Sequence, residues 1–173
     1  TAAVLTTTGC AVWGIVEFYN DTIVTARNFY GVLRVKEHGR DSTSHRRSLV
    51  HGTILHGTQY RDSELSRLPT TYYTSTSGVG RALESRHPTT IPIKVGVIGL
   101  GTGTIATYGT KGDVYRFYEI NPDVLTIAQR DFTFLGDSAA TIELPLGDAR
   151  LSLEREPSQQ FDVLAIDAFS SDA

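Results

Sequence analysis

Four features in the second half of this 173-residue chain could do chemistry together. The apolar run Val95, Val97, Ile98 ends in Gly99-Leu100-Gly101-Thr102-Gly103. Glycines at such a place let the backbone turn tightly and let a ligand lie where a Cβ would clash. A second β-rich run, Val114 to Tyr118, ends on Glu119, and an acid there suits the two hydroxyls of a ribose. Gly147-Asp148 and Asp167 follow two further apolar runs. Singly, each has an ordinary explanation: Gly147-Asp148 as a turn and helix N-cap, Asp167 as a loop cap, Glu119 as a solvated strand end. At four successive strand ends they define one crevice, because open α/β sheets bind ligands at the carboxyl ends of their strands.

The loop narrows the ligand. A dinucleotide fingerprint is G-x-G-x-x-G, whereas this loop reads G-x-G-x-G, with Thr104 following Gly103. No Lys or Arg that would seek a phosphate occurs in or after the loop until Lys111. A ligand without phosphates, held by glycine backbone, a ribose-binding acid and a second acid near the base, is S-adenosylmethionine or a relative. Its sulfonium is cationic, which suits an acidic crevice.

The elements that must position these residues follow from the change of period along the chain. Residues 1 to about 58 read as β structure: Ala11 to Phe18, Thr22 to Arg27 and Asn28 to Val35 are rich in β-branched and aromatic residues. Asn20-Asp21 and Glu37 to Asp41 supply turns, and Ser48 to Leu55 adds a short strand pair or extended segment. Short strands with tight turns predict a small antiparallel sheet or partial barrel. Gln59 to Thr76 is a polar connector, long enough to be functional. Ser77 to Arg86 predicts a short helix with Ser77 as N-cap, ended at His87-Pro88. From Ile91 strands and helices alternate: strands 93–98, 114–118, 140–144 and 161–166, with helices at 102–108, 122–130 and 149–155. That alternation predicts an α/β, Rossmann-like parallel sheet of the methyltransferase type, preceded by a small antiparallel β domain. The expected division is 1–76 for the β-rich part with its connector and 77–173 for the nucleoside-binding part. Four strands fall short of a complete doubly wound sheet, so this part is expected to be C-terminally incomplete.

Composition bounds the function. The chain is 40% apolar and 20% charged with a net charge of −3, which argues against nucleic acid as the main partner. His45-Arg46-Arg47, the nearest thing to a basic patch, reads as a solvated turn. With Cys10 as the single cysteine no intrachain disulfide can form, which fits a cytoplasmic setting. No apolar run approaches the roughly 18 residues of a membrane span. The chain has no methionine, so Thr1 is not a native start and a longer protein is expected. His51-Gly52 and His56-Gly57 invite a metal, but on one strand, five residues apart, they would face opposite sides. No cysteine cluster or H-E-x-x-H joins them, so no metal is expected. A hydrogen-bonding role in the turn before Gln59 is the reading for both.

The motifs IGLGTGTIATYG, FYEINPDVLTIA, GDARLSL and FDVLAIDAFSSDA resemble the nucleoside-binding motifs of the spermidine/spermine synthase family of polyamine aminopropyltransferases. NFYGVLRV and LVHGTILHGTQ, followed by PTTYY, resemble that family's N-terminal β domain and the lead-in to its active site. The likeness runs from about Asn28 to Ala173 and is nearest the divergent synthase-like branch found fused behind membrane spans. It implies an enzyme that moves an aminopropyl group from decarboxylated S-adenosylmethionine to a small amine of the putrescine type, releasing methylthioadenosine. By that resemblance Glu119 holds the ribose, Asp148 the adenine amino group, and Gly99, Gly101 and Gly103 let the nucleoside lie on the backbone. Gln59 approaches the methionine-derived tail, Asp167 takes the amine's proton, and Tyr73 (or Tyr72) contacts the amine. The resemblance also implies a homodimer, with a membrane-spanning region upstream in the full-length protein and the present part on the cytoplasmic side.

Two departures bear on the acceptor. Thr74-Ser75-Thr76 follows Tyr73, with no acid before Glu84 where the family grips the far ammonium of a polyamine. Asp172 lies five residues beyond Asp167, a longer spacing than the family's second catalytic-loop acid. The alternatives are a methyltransferase using intact S-adenosylmethionine on an unknown acceptor, and a non-catalytic nucleoside-sensing domain of a membrane protein.

Overall fold

A computed structural model describes residues 19–86 and 91–168. The expected strand at Ala11 to Phe18, the helix stop at His87-Pro88 and Asp172 lie outside the described residues.

The first sheet is an antiparallel meander, β1 Thr22–Asn28, β2 Gly31–His38, β3 Arg46–His51 and β4 Ile54–Tyr60, in that order. The edge strand β1 alternates half-buried and exposed positions, as a strand with one wet face does. Leu33, Val35 and Leu49 form the buried face of the sheet. The sequence carried one strand from Asn28 to Val35; the chain instead turns at Phe29-Tyr30 and re-enters the sheet at Gly31. Gly31 takes φ +120, which glycine adopts without strain. Glu37 and His38, expected in a turn, belong to β2.

His45-Arg46-Arg47 is a second correction, for it is not a solvated turn. Arg46 opens β3, and His45 and Arg47 converge with Arg40 on the buried carboxylate of Glu37. Arg47 Nε donates to Glu37 Oε1 at 2.9 Å and Arg40 Nε to Oε2 at 3.0 Å. Burial alone would raise this carboxyl's pKa, but hydrogen bonds from Arg40, Arg47 and His45 hold it at about 2, below its usual 4.5. A group depressed in this way stabilises the fold above its unfolded pKa and loses that contribution as pH falls through the folded one. Stability should therefore decline between about pH 4.5 and 2. Glu37→Gln should cost about 2 kcal/mol at neutral pH, read as a lower Tm in thermal unfolding, and should flatten that acid limb.

The second sheet is parallel: β5 Lys94–Ile98, β6 Val114–Tyr118, β7 Thr141–Glu143 and β8 Val163–Ile166, in the order β7-β6-β5-β8. Val95, Val97, Tyr115 and Phe117 are buried in its central strands, in keeping with a sheet covered on both faces. Helix α1 Gly78–Glu84 starts as its sequence predicts, Ser77 Oγ accepting from Gly80 N at 3.0 Å. The 3-10 turn Thr104–Tyr108 replaces the expected helix after the glycine loop. Helix α2 Pro122–Asp131 has Asn121 as N-cap, Pro122 in its first turn and Val124, Ile127 and Ala128 on its buried face. The four-residue α3 Phe134–Asp137 was not expected, and α4 Ala149–Arg155 is capped by Asp148. One apolar core runs through both sheets, joining Leu33, Val35 and Leu49 to Val95, Ile105 and Ile127. With its antiparallel meander and its parallel sheet wound outward from β5, the chain has a Rossmann-like, methyltransferase-type fold.

Candidate functional site

Strand register decides which residues share the crevice. Ile98 is paired with Tyr118 on one side and with Ile166 on the other. The next residue of each chain, Gly99, Glu119 and Asp167, therefore leaves the sheet at the same level. A single bridge from Glu119 to Leu146, with Gly147 N donating to Glu119 O at 2.8 Å, brings Gly147-Asp148 alongside. The row 147–148, 119, 99, 167 straddles the point where strand order reverses, between β5 and β8, which is where such sheets bind ligands.

A cavity of about 1000 Å³ opens over this row. Gly99, Gly101, Glu119, Asp148 and Asp167 line it, together with residues of the first sheet. The glycines are required by their surroundings. Gly99 has φ +95, and a Cβ there would lie 2.6 Å from Asp167 O; Gly101 has φ +54, and its Cβ would lie 2.7 Å from His56 O. Gly103 is not in the cavity wall: it packs beneath the loop, where a Cβ would meet Leu135 at 2.7 Å.

Glu119 is held firmly. Its Oε2 accepts from Leu100 N at 3.0 Å and its Oε1 from Asn121 N at 2.8 Å. Burial raises its pKa, against the pull of those backbone N–H groups and of Ile120's. Asp148 caps α4 by accepting from Leu151 N at 2.9 Å through Oδ1 and also lines the cavity.

Asp167 is the most perturbed acid of the row: burial lifts its carboxyl from 3.8 to about 6. Tyr73 Oη donates to Asp167 Oδ2, and Tyr108 Oη donates to Tyr73 O at 2.6 Å, so the tyrosine is fixed in turn. Two residues before Tyr73, Thr71 holds φ +57; strain of this kind in a β-branched residue costs about 1–3 kcal/mol and collects at functional sites. A second cavity of about 370 Å³ lies beyond Asp167, lined by Tyr72, Tyr73, Val79, Ala82, Ile105 and β8. Asp167 thus stands between two spaces. Burial, with a smaller contribution from the charge of Asp167, pushes the Tyr72 hydroxyl up to about 12, so it stays a neutral donor.

Gln59 is placed elsewhere. It sits in β4, fully buried, its Nε2 donating to Ser66 O at 2.9 Å and Thr133 Oγ1 at 2.8 Å and its Oε1 accepting from Thr133 N at 2.9 Å. It does not line either cavity, and its amide pins the connector to the start of α3.

His51 and His56 correct the expectation of opposite faces. They lie on β3 and β4, and the hairpin between them turns at Gly52-Thr53, so both line the large cavity with ring centroids 5.6 Å apart. Burial, then the neighbouring His51, lowers the pKa of His56. Gly52 in the sequence was the signal for that turn, and in the structure it takes φ +58. Among the described residues no group of three or more His, Cys, Asp or Glu could hold a metal ion, and no helix is long and apolar enough to cross a membrane.

The sheet order defines an α/β protein with a Rossmann-like, methyltransferase-type fold. No protein-family model matches the chain, and no curated protein matches it by sequence. Among solved structures it resembles the crystal structure of a probable spermidine synthase from Corynebacterium glutamicum ATCC 13032, with a TM-score of 0.63 at 16% identity. The match covers 86% of this chain and 52% of that one, so the chain spans about half the length of that synthase. At this identity the likeness is one of fold.

Proposed function

We propose that the chain is a spermidine synthase-like aminopropyltransferase. Decarboxylated S-adenosylmethionine lies across the glycine loop, its ribose on Glu119 and its adenine near Asp148. A putrescine-type amine enters beside Tyr73. The nitrogen lone pair attacks the carbon next to the sulfonium, the C–S bond breaks, and its electrons neutralise sulfur as methylthioadenosine leaves. The proton from the amine passes to Asp167, because a protonated amine has no lone pair to offer. The sulfonium is already a good leaving group, so positioning supplies most of the rate.

The observation that carries this reading is the Asp167–Tyr73 pair. Asp167 is a partly buried carboxylate that lines both cavities at the switch point, level with the glycine loop and Glu119, which supports its reading as the base. A nucleoside sensor has no use for such a base. By the same reading the protein works as a homodimer in the cytoplasm, tethered to the membrane where spans precede it in a longer chain.

The second reading, methyl transfer from intact S-adenosylmethionine, draws on the stretch after Tyr73, which carries no acid until Glu84 to hold a second ammonium. Chromatography separates the two. Incubation with decarboxylated S-adenosylmethionine and a panel of amines should release methylthioadenosine. Release of S-adenosylhomocysteine from the intact donor, without methylthioadenosine from the decarboxylated one, would replace the first reading by the second.

A further inference from the structure

The hairpin tip between β1 and β2 is bound to the crevice although it belongs to the other sheet. Asn28 Nδ2 donates to Asn121 Oδ1 at 2.6 Å and to Asp123 Oδ2 at 2.7 Å, while Asn28 Oδ1 accepts from Tyr30 N at 2.9 Å. Asn121 is the residue whose N–H holds Glu119. The tip is thus fixed relative to the ribose acid. Behind it Gly31 lies on the ring of His51, where a Cβ would clash.

On this anchored tip Phe29 is 95% exposed and yet lines the large cavity. Tyr30 packs against it at a right angle, with centroids 5.4 Å apart and planes at 87°, and the Phe29 ring nonetheless stays almost wholly accessible. A fully wet phenyl ring on a tied-down turn gives the fold no burial energy. Ile120, exposed to 41%, lines the same cavity next to Glu119. Phe29 and Ile120 thus bring exposed apolar surface to the cavity that the acid row lines.

We propose that Phe29 is the aromatic wall that stacks on the purine of the bound nucleoside, with Ile120 covering the other side. This rests on the nucleoside reading above and adds to it a residue from the first sheet that selects for a flat aromatic base. An aromatic face stacks on any base, so the wall sets affinity for a purine while Asp148 reads its edge.

The test is calorimetry with methylthioadenosine and with methylthioribose, its purine-free counterpart, on the parent chain, Phe29→Ala and Phe29→Trp. Phe29→Ala should weaken methylthioadenosine about tenfold, leave methylthioribose unchanged and keep the parent's Tm. Phe29→Trp should retain tight binding, and its added indole fluorescence should change when methylthioadenosine is bound. Equal affinity of Phe29→Ala and parent for methylthioadenosine overturns the proposal, as does equal weakening of both ligands. A changed sedimentation coefficient with unchanged nucleoside affinity would assign the ring to a contact between copies and also overturn it. A parent chain that binds neither ligand removes the nucleoside reading itself, and this wall with it.

Discussion

Asp167→Asn should reduce methylthioadenosine release roughly 100- to 10,000-fold, the range that a lost general base commands. Nucleoside affinity should hardly change, because the asparagine keeps the shape and an oxygen that can accept from Tyr73. The pH profile carries the same information. With the carboxyl at about 6, the base is present above that pH and absent below it, so turnover should rise through pH 6 and then level off. The residual activity of Asp167→Asn should lack this step. Stability should move the other way. A carboxyl whose folded pKa is raised binds its proton more tightly in the folded state, so its ionisation above pH 6 costs folding energy. Asp167→Asn should then unfold at the parent's temperature or above it at pH 7 to 8. A site residue whose removal stabilises is spending stability on function. Turnover that survives the substitution would mean that another group takes the proton.

Glu119→Gln should act on binding instead. The carboxylate accepts from Leu100 N and Asn121 N, so both its oxygens already orient the crevice before a ribose arrives. An amide must turn its NH2 toward one of those N–H groups, which loses a charged hydrogen bond and sets donor against donor. Weakening two charge-assisted bonds to ribose hydroxyls costs about 3 kcal/mol, roughly 100-fold in affinity. Titration of the variant with methylthioadenosine measures this, with thermal unfolding to show that the fold persists. An affinity within a few-fold of the parent's would remove Glu119 from the ribose.

How much of this was legible in the sequence differs between elements for physical reasons. Strand β6 and helix α4 fall where their residues predict, since Gly112-Asp113 and the Asp148 cap are local signals beside them. The strand-end positions were also legible, because Gly99, Glu119 and Asp167 each follow directly on a β-rich run whose end the register copies from strand to strand. The hairpin at Phe29-Tyr30 was hidden because aromatic residues carry high β propensity whether they lie in a strand or cap its turn. Gln59 looked like the start of a polar connector; its partner, Thr133, is 74 residues away, and such pairing leaves no trace nearby. Glu37 differs: its cations Arg40, His45 and Arg47 are near in sequence, but only the pairing of β2 with β3 brings them onto one carboxylate. Helix α3, at four residues, is shorter than the periodicity needed to see it.

The second cavity sharpens the acceptor question that the sequence raised. Its described wall holds two tyrosines, apolar side chains and the carboxyl of Asp167. That wall suits the reacting amine of an acceptor and the apolar chain behind it. Which amine fits is a matter for the turnover panel, and it can be asked separately from whether a nucleoside binds.

Binding itself is the most direct test of the central claim that the row Asp148, Glu119, Gly99, Asp167 is a sulfonium-nucleoside site with a base attached. Isothermal titration of the unmodified chain with methylthioadenosine, decarboxylated S-adenosylmethionine and intact S-adenosylmethionine measures it in one series. Methylthioadenosine and the decarboxylated donor should bind more tightly than the intact one. Failure of all three to bind would contradict the nucleoside site, and preference for the intact donor would contradict aminopropyl transfer.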